Sequence, residues 1–154
     1  MPLSGTVAVA ETDVLSARGL TFRANAGQAF TGTVATFTDS DTGNGASDFT
    51  ATIDWGDGTT TAGVITDTAG TISVSGTHTY ASSGQNAVSV TLSDDAPGTA
   101  TATANSTANV GGLTGQVSLN AATEGVALPS TTKVATFTDT NTSDTASSFT
   151  ATIN

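Results

Sequence analysis

The sequence predicts an all-β fold, a sandwich of two packed sheets, on three observations. Apolar and polar residues alternate in short runs, as in Phe49-Thr50-Ala51-Thr52-Ile53, and no segment has a helical period. Turn-forming residues interrupt those runs at intervals of about 8–12 positions, the spacing of short antiparallel strands. A block of sequence also returns after about 100 residues, too long for a solenoid unit and suited to a self-contained β domain arrayed in tandem. Val34-Ala35-Thr36-Phe37-Thr38-Asp39 recurs identically as Val134-Ala135-Thr136-Phe137-Thr138-Asp139, and Phe49-Thr50-Ala51-Thr52-Ile53-Asp54 recurs as Phe149-Thr150-Ala151-Thr152-Ile153-Asn154.

Taken in order, residues 1–12 read as the closing strand of a preceding repeat or a linker, because Gly5 to Ala10 resembles Thr101 to Val110. Residues 13–111 form one complete copy, and 112–154 the opening half of a second. In the complete copy the first strands are Leu20 to Ala24 and Phe30 to Phe37, parted by Asn25-Ala26-Gly27. A polar loop, Asp39 to Gly45, leads to a central strand from Phe49 to Trp55. Ala62 to Thr66 and Thr71 to Ser75 flank Asp67-Thr68-Ala69-Gly70 as a hairpin. Asn86 to Leu92 turns Val88, Val90 and Leu92 inward, and Thr99 to Val110 closes the copy. Seven or so such strands make an immunoglobulin-like sandwich. The half copy has too few strands to cover both faces of a sheet, so it is expected to be disordered or to order only by pairing with another chain.

The chain is organised around Ile53-Asp54-Trp55-Gly56-Asp57-Gly58-Thr59. Alternation puts Phe49, Ala51, Ile53 and Trp55 on one face, which buries the tryptophan. Gly56 and Gly58 allow positive φ without steric cost, and Asp57 between them can accept hydrogen bonds from the backbone beyond it. The stretch is a strand end followed by a sharp turn.

Composition narrows the function. Of the 154 residues, thirteen are acidic and three basic, for a net charge of −10, and there is no cysteine. So cation-poor a surface cannot neutralise phosphates, which argues against nucleic acid and anionic membrane as partners. Disulfides and thiolate metal sites are excluded. The first residues have no basic segment followed by an apolar one, and no apolar run approaches the ~18–20 residues of a membrane span. The Thr/Ser/Gly-rich acidic composition suggests an exported, extracellular or cell-surface protein whose export signal lies outside this chain.

Trp55-Gly56-Asp57-Gly58-Thr59, then His78-Thr79-Tyr80, Gly84 and Val88-Ser89-Val90-Thr91-Leu92 resemble, in order and spacing, the PKD repeat. The resemblance covers about residues 15–110. It departs at Asn86-Ala87-Val88, where the family usually carries Tyr-x-Val. The repeated Phe-Thr-Asp and Phe-Thr-Ala-Thr-Ile blocks look like the tandem modules of very large bacterial surface and secreted proteins. The resemblance implies a β-sandwich with a spacer, adhesion or accessory role and no catalysis. On this reading Trp55, Gly56, Asp57, Gly58, His78 and Tyr80 are structural, and Tyr80 is similar to a tyrosine corner.

Asp39 and Asp41 alternate in an oxygen-rich loop and can converge on a hard cation, so Asp39, Asp41 and Asp57 are candidate calcium ligands, with Asp48, Asp94 and Asp95 as further oxygens. The loop lacks the EF-hand pattern, and Asp and Asn are ordinary turn residues. A lone histidine without cysteine builds no usual zinc site. A glycosidase would need its carboxylates in a cleft ringed by aromatics. The runner-up is a carbohydrate-binding accessory module, which requires exposed rings. An isopeptide through Lys133 is not expected, since the first copy has Thr33 there. The partners expected are neighbouring repeats of the same protein, and a homopolymer formed by strand complementation between chains.

Overall fold

The computed structural model describes residues 13–95, 98–119, 121–140 and 145–153. The expected strand at Gly5 to Ala10 lies outside them. Among the described residues there are eleven strands and two single turns of 3-10 helix, and no helix is long and apolar enough to cross a membrane.

The complete copy holds nine strands: β1 Leu15–Gly19, β2 Thr21–Asn25, β3 Ala29–Asp39, β4 Phe49–Asp54, β5 Thr60–Ala62, β6 Val64–Thr68, β7 Thr71–Thr79, β8 Gly84–Asp94 and β9 Thr101–Gly111. They form two sheets, ordered β1-β3-β7-β6 and β2-β9-β8-β4-β5. With β1 and β2 as the two halves of one leading strand, this is the A-B-E-D and A′-G-F-C-C′ order of an immunoglobulin-like sandwich. Pairing is antiparallel except between β2 and β9, which run parallel. The inner faces bury Phe37, Ile53, Ile72, Val74, Val90 and Leu92 between the sheets. β4 has the strict alternation read from its sequence, with Phe49, Ala51 and Ile53 buried and Thr50 and Thr52 exposed.

Several elements differ from the sequence reading: the expected strand Ala62 to Thr66 is divided between β5 and β6, which belong to different sheets, and β7 runs past Ser75 to Thr79. The leading strand is longer than Leu20 to Ala24 and switches sheets at Leu20. There the chain passes close to β9: the backbone carbonyl of Asn105 occupies the space a side chain at Gly19 would need. The Leu20 N–H donates to Ser106 Oγ at 3.0 Å, and the Leu20 carbonyl accepts from the Thr107 N–H at 2.9 Å. β5 lies in a run of threonines, exposed throughout, where no alternation betrays a strand. The hairpin between β6 and β7 turns on two residues, Ala69 and Gly70, both at positive φ (51° and 79°). That is the primed turn whose twist suits adjoining strands.

β3 carries a bulge between Thr33 and Ala35, so Val34 and Ala35 are consecutive yet both buried. The extra residue resets the alternation, keeping Phe30 inward before it and Phe37 inward after it. The bulge frees the Val34 carbonyl from the ladder, and the Ser106 hydroxyl donates to it at 2.6 Å. One buried serine therefore serves two irregularities, the sheet switch at Leu20 and the bulge at Val34.

β9 ends at Gly111 and the second copy starts at Leu113. There β10 (Leu113–Val117) pairs with β11 (Ala135–Asp139), Leu113 opposite Asp139, as Leu15 stands opposite Asp39 in the first copy. Part of the half copy thus pairs within its own chain, contrary to the expectation that it needs another. The segment 149–153 is not a strand, although the same five residues form one at 49–53.

Candidate functional site

The residues singled out by sequence gather at two ends of the sandwich. At one end, β4 delivers Trp55 fully buried, and the chain reverses through Gly56 and Gly58 at φ 77° and 90°. The Trp55 N–H donates to the Thr59 carbonyl at 3.0 Å, closing the turn. Gly56 is required twice over, since the Ala87 carbonyl also fills the space of a β-carbon there. Asp54 Oδ1 accepts the Gly56 N–H at 2.9 Å, while Asp57 Oδ1 accepts the Thr59 N–H and hydroxyl at 3.1 and 2.6 Å.

Around the indole the aromatic residues form one cluster. Phe22 and Phe30 stack on each other at 4.4 Å and present edges to Trp55. His78 lies parallel to the indole at 4.7 Å, with Tyr80 edge-on to both. The indole N–H donates to Thr61 Oγ1 at 3.0 Å, and the Tyr80 hydroxyl donates to the Trp55 carbonyl at 3.2 Å. Tyr80 sits where β7 hands over to β8, but unlike a tyrosine corner its hydroxyl reaches a carbonyl 25 residues upstream and not one a few residues back. Its hydroxyl is pushed up to about 12, first by burial and then by the charge of Asp57. His78 Nε2 lies 2.7 Å from Asp57 Oδ2. The Thr59 hydroxyl is the largest influence holding the Asp57 carboxyl below the usual aspartate value; burial works against it, and His78 adds to it. Trp55, Asp57, His78 and Tyr80 are thus linked by hydrogen bonds that run through Thr59, and Gly56 and Gly58 supply the positive φ of the turn.

Asp39 and Asp41 lie at the other end, beyond the far terminus of β4, a strand that spans roughly 20 Å. The expected set Asp39, Asp41 and Asp57 is therefore not brought together. Asp57 is held by Thr59 and His78, and the other two carboxylates pin their own loop. Asp39 accepts the Asp41 N–H at 3.1 Å and the Asn44 amide at 3.0 Å, and Asp41 accepts the Gly43 N–H at 2.8 Å. Asp48 likewise accepts the Gly45 N–H at 2.8 Å. Among the described residues no three of His, Cys, Asp or Glu form a group suited to a metal ion.

Asp94 shares that acidic end with Asp13, Asp39 and Asp95. Its carboxyl is raised above the usual value, first by burial and then by Asp13, Asp39 and Asp95. One oxygen each of Asp13 and Asp94 is buried without a hydrogen-bond partner. The folded state therefore holds the Asp94 proton to higher pH than the unfolded chain does. Ionising it costs stability as pH rises from the ordinary aspartate range, near ~3.9, through the folded value. Asp94→Asn is expected to raise Tm at pH 7 and to leave it unchanged near pH 3. Thermal melts of both proteins across that range check this, and an equal gain at both pH values would refute it.

Sequence reasoning missed Thr61 and Ser106. A buried indole N–H needs an acceptor, and the nearest hydroxyls after the turn were the available signal. For Ser106 the signal was a polar residue on an apolar face, Ala104-x-Ser106-x-Ala108-x-Val110.

No family profile matches the chain, and no curated protein matches it. Among solved structures it is similar to the PKD domain of an M14-like peptidase from Thermoplasmatales archaeon SCGC AB-540-F20, at 21% identity, with a TM-score of 0.34, over 61% of this chain and 91% of that one.

Proposed function

We propose that the chain is a non-catalytic structural unit of a tandem array, a spacer in a large extracellular protein whose partners are neighbouring repeats. The observation that carries this reading is the junction. A second copy of the opening strands starts at Leu113, two positions after β9 ends, and pairs in the register of the first. A joint of one residue, Gly112, leaves little slack between units, which suits a stiff spacer better than a flexible tether. The chemistry of the first copy agrees. Its tryptophan, tyrosine and histidine hold a turn in place, and both Trp55 and Tyr80 are buried, leaving the carbohydrate-binding alternative without a stacking platform there.

A further copy of residues 55–111 placed after Asn154 gives the second copy the same strand sequences as the first. Small-angle scattering is then expected to show a particle longer by about one sandwich, on the order of 35 Å for strands of this length. A particle that gains mass without gaining length would contradict the spacer reading.

A further inference from the structure

We propose that Asn44-Gly45 is a site of self-modification: when its loop opens, Asn44 cyclises onto the Gly45 nitrogen and converts to aspartate or isoaspartate, and the closed loop guards it through Asp39 and Asp48.

The residue pair sets the chemistry. Asn44-Gly45 is the one Asn-Gly pair in the sequence. Glycine has no β-carbon to shield its backbone nitrogen from the side chain before it. Once that nitrogen loses its proton it attacks Asn44 Cγ. A C–N bond forms, the side-chain nitrogen takes up a proton and leaves as ammonia, and a cyclic imide remains. Water then opens the ring at one carbonyl or the other. The products are aspartate and, with the backbone rerouted through the side chain, isoaspartate. No oxidant, reductant or second protein enters. The fold itself does not ask for glycine at this place. Gly45 has φ −117° and ψ 178°, ordinary extended backbone, and nothing lies within 4 Å of where its β-carbon would sit.

The closed loop holds both reacting groups. The Gly45 N–H donates to Asp48 Oδ2 at 2.8 Å, and the Asn44 side-chain amide donates to Asp39 Oδ2 at 3.0 Å. Deprotonating Gly45 there would set an amide anion directly against a carboxylate, which repulsion at that distance opposes. The Asn44 amide, tied to Asp39, is not free to turn toward the nitrogen. Reaction therefore runs through the molecules whose loop is open, and its rate follows the free energy of that local opening.

The product does not restore what it replaces. Aspartate at position 44 has no N–H to give Asp39 Oδ2. It also adds a negative charge to a cavity of about 220 Å³ that Asn44 lines together with Asp39, Asp41 and Asp67. An opening that ends in reaction is thus recorded permanently in the loop. The second copy has Asp144-Thr145 at the matching positions and Asn141 where the first has Asp41, so there the acid is present from the start and another of the loop's charges is gone.

The test follows the full chain by peptide mapping, with mass spectrometry to read the conversion of Asn44. In the folded chain conversion is expected to be slower by about tenfold or more than in the same chain unfolded in urea. Asp48→Ala is expected to speed it in the folded chain by about tenfold, and Asp48→Asn, which keeps an acceptor for the Gly45 N–H, to speed it less. Both rates are read beside amide exchange in β4, which separates opening of the loop from a general loss of stability. Gly45→Ala is expected to slow conversion in urea by about tenfold or more at unchanged Tm. Asn44→Asp, the product made directly, is expected to speed amide exchange at Gly43 and Gly45 by about tenfold. Equal rates in the folded and unfolded chain, or a rate unchanged or lowered by Asp48→Ala, would overturn the guard. No conversion at Asn44 in urea would overturn the site, and unchanged exchange in Asn44→Asp would overturn the permanent record.

Discussion

Trp55→Ala is expected to cost the first copy about 3–5 kcal/mol, the loss found when a fully enclosed aromatic ring is cut back to a methyl. The indole is 0% exposed and is packed by two pairs of rings, Phe22 with Phe30 and His78 with Tyr80, whose members already fill the space beside one another. Gly76 makes the fit tight on a further side, since a β-carbon there would lie 2.8 Å from the indole Cζ2. For a domain of about 100 residues the loss corresponds to a fall in Tm of roughly 15–30 °C. Trp55→Phe is expected to recover a substantial part of it. The backbone carbonyl that holds the Tyr80 hydroxyl survives either substitution, and the indole N–H partner, Thr61, is exposed and turns to water. Urea unfolding followed by circular dichroism checks both variants. The midpoint is expected to fall at unchanged slope, since the same surface is exposed on unfolding. A loss below about 1 kcal/mol would mean that the ring is not the wedge between the sheets.

How much of this was legible in the sequence follows from how local each signal was. The path of β4 could be read directly, because a half-buried strand writes its burial into strict alternation and Phe49, Ala51, Ile53 and Trp55 carry it without interruption. The turn could be read because two glycines bracketing an aspartate have few other uses. The burial of Trp55 followed from the alternation, whereas the structural role of Tyr80 was read only from a resemblance. The sheet switch at Leu20 could not be read, since its cause is Asn105 and Ser106, some 86 residues away. Nor was the fate of the three candidate calcium ligands visible. Spacing along a chain does not say which end of a sandwich a loop occupies, and Asp57 went to the end opposite Asp39 and Asp41. The repeat is the strongest demonstration of the limit. Phe-Thr-Ala-Thr-Ile is written twice and adopts two conformations, because a strand is completed by its neighbour and not by its own residues.

Ser106→Ala is expected to destabilise the first copy by about 2–4 kcal/mol, more than a small buried serine suggests. The hydroxyl donates to the Val34 carbonyl and accepts from the Leu20 N–H, so its removal orphans one acceptor and one donor at once. Each buried group left without a partner costs about 1–3 kcal/mol, and partial relaxation keeps the sum below the full total. Thr103→Val on the same strand provides the comparison. That hydroxyl pairs with Thr91 Oγ1 at 3.2 Å but is exposed, and its loss is expected to stay within about 0.5 kcal/mol. Equilibrium unfolding of the two variants side by side gives the difference. Amide exchange adds a readout that a general loss of packing would not reproduce. The Leu20 amide is expected to lose protection selectively, ahead of the β4 and β8 amides, because its acceptor has gone while theirs remain. Equal effects of the two substitutions would mean that the bulge in β3 and the sheet switch in the leading strand are held by the strand ladders around them. The serine would then be a bystander between them.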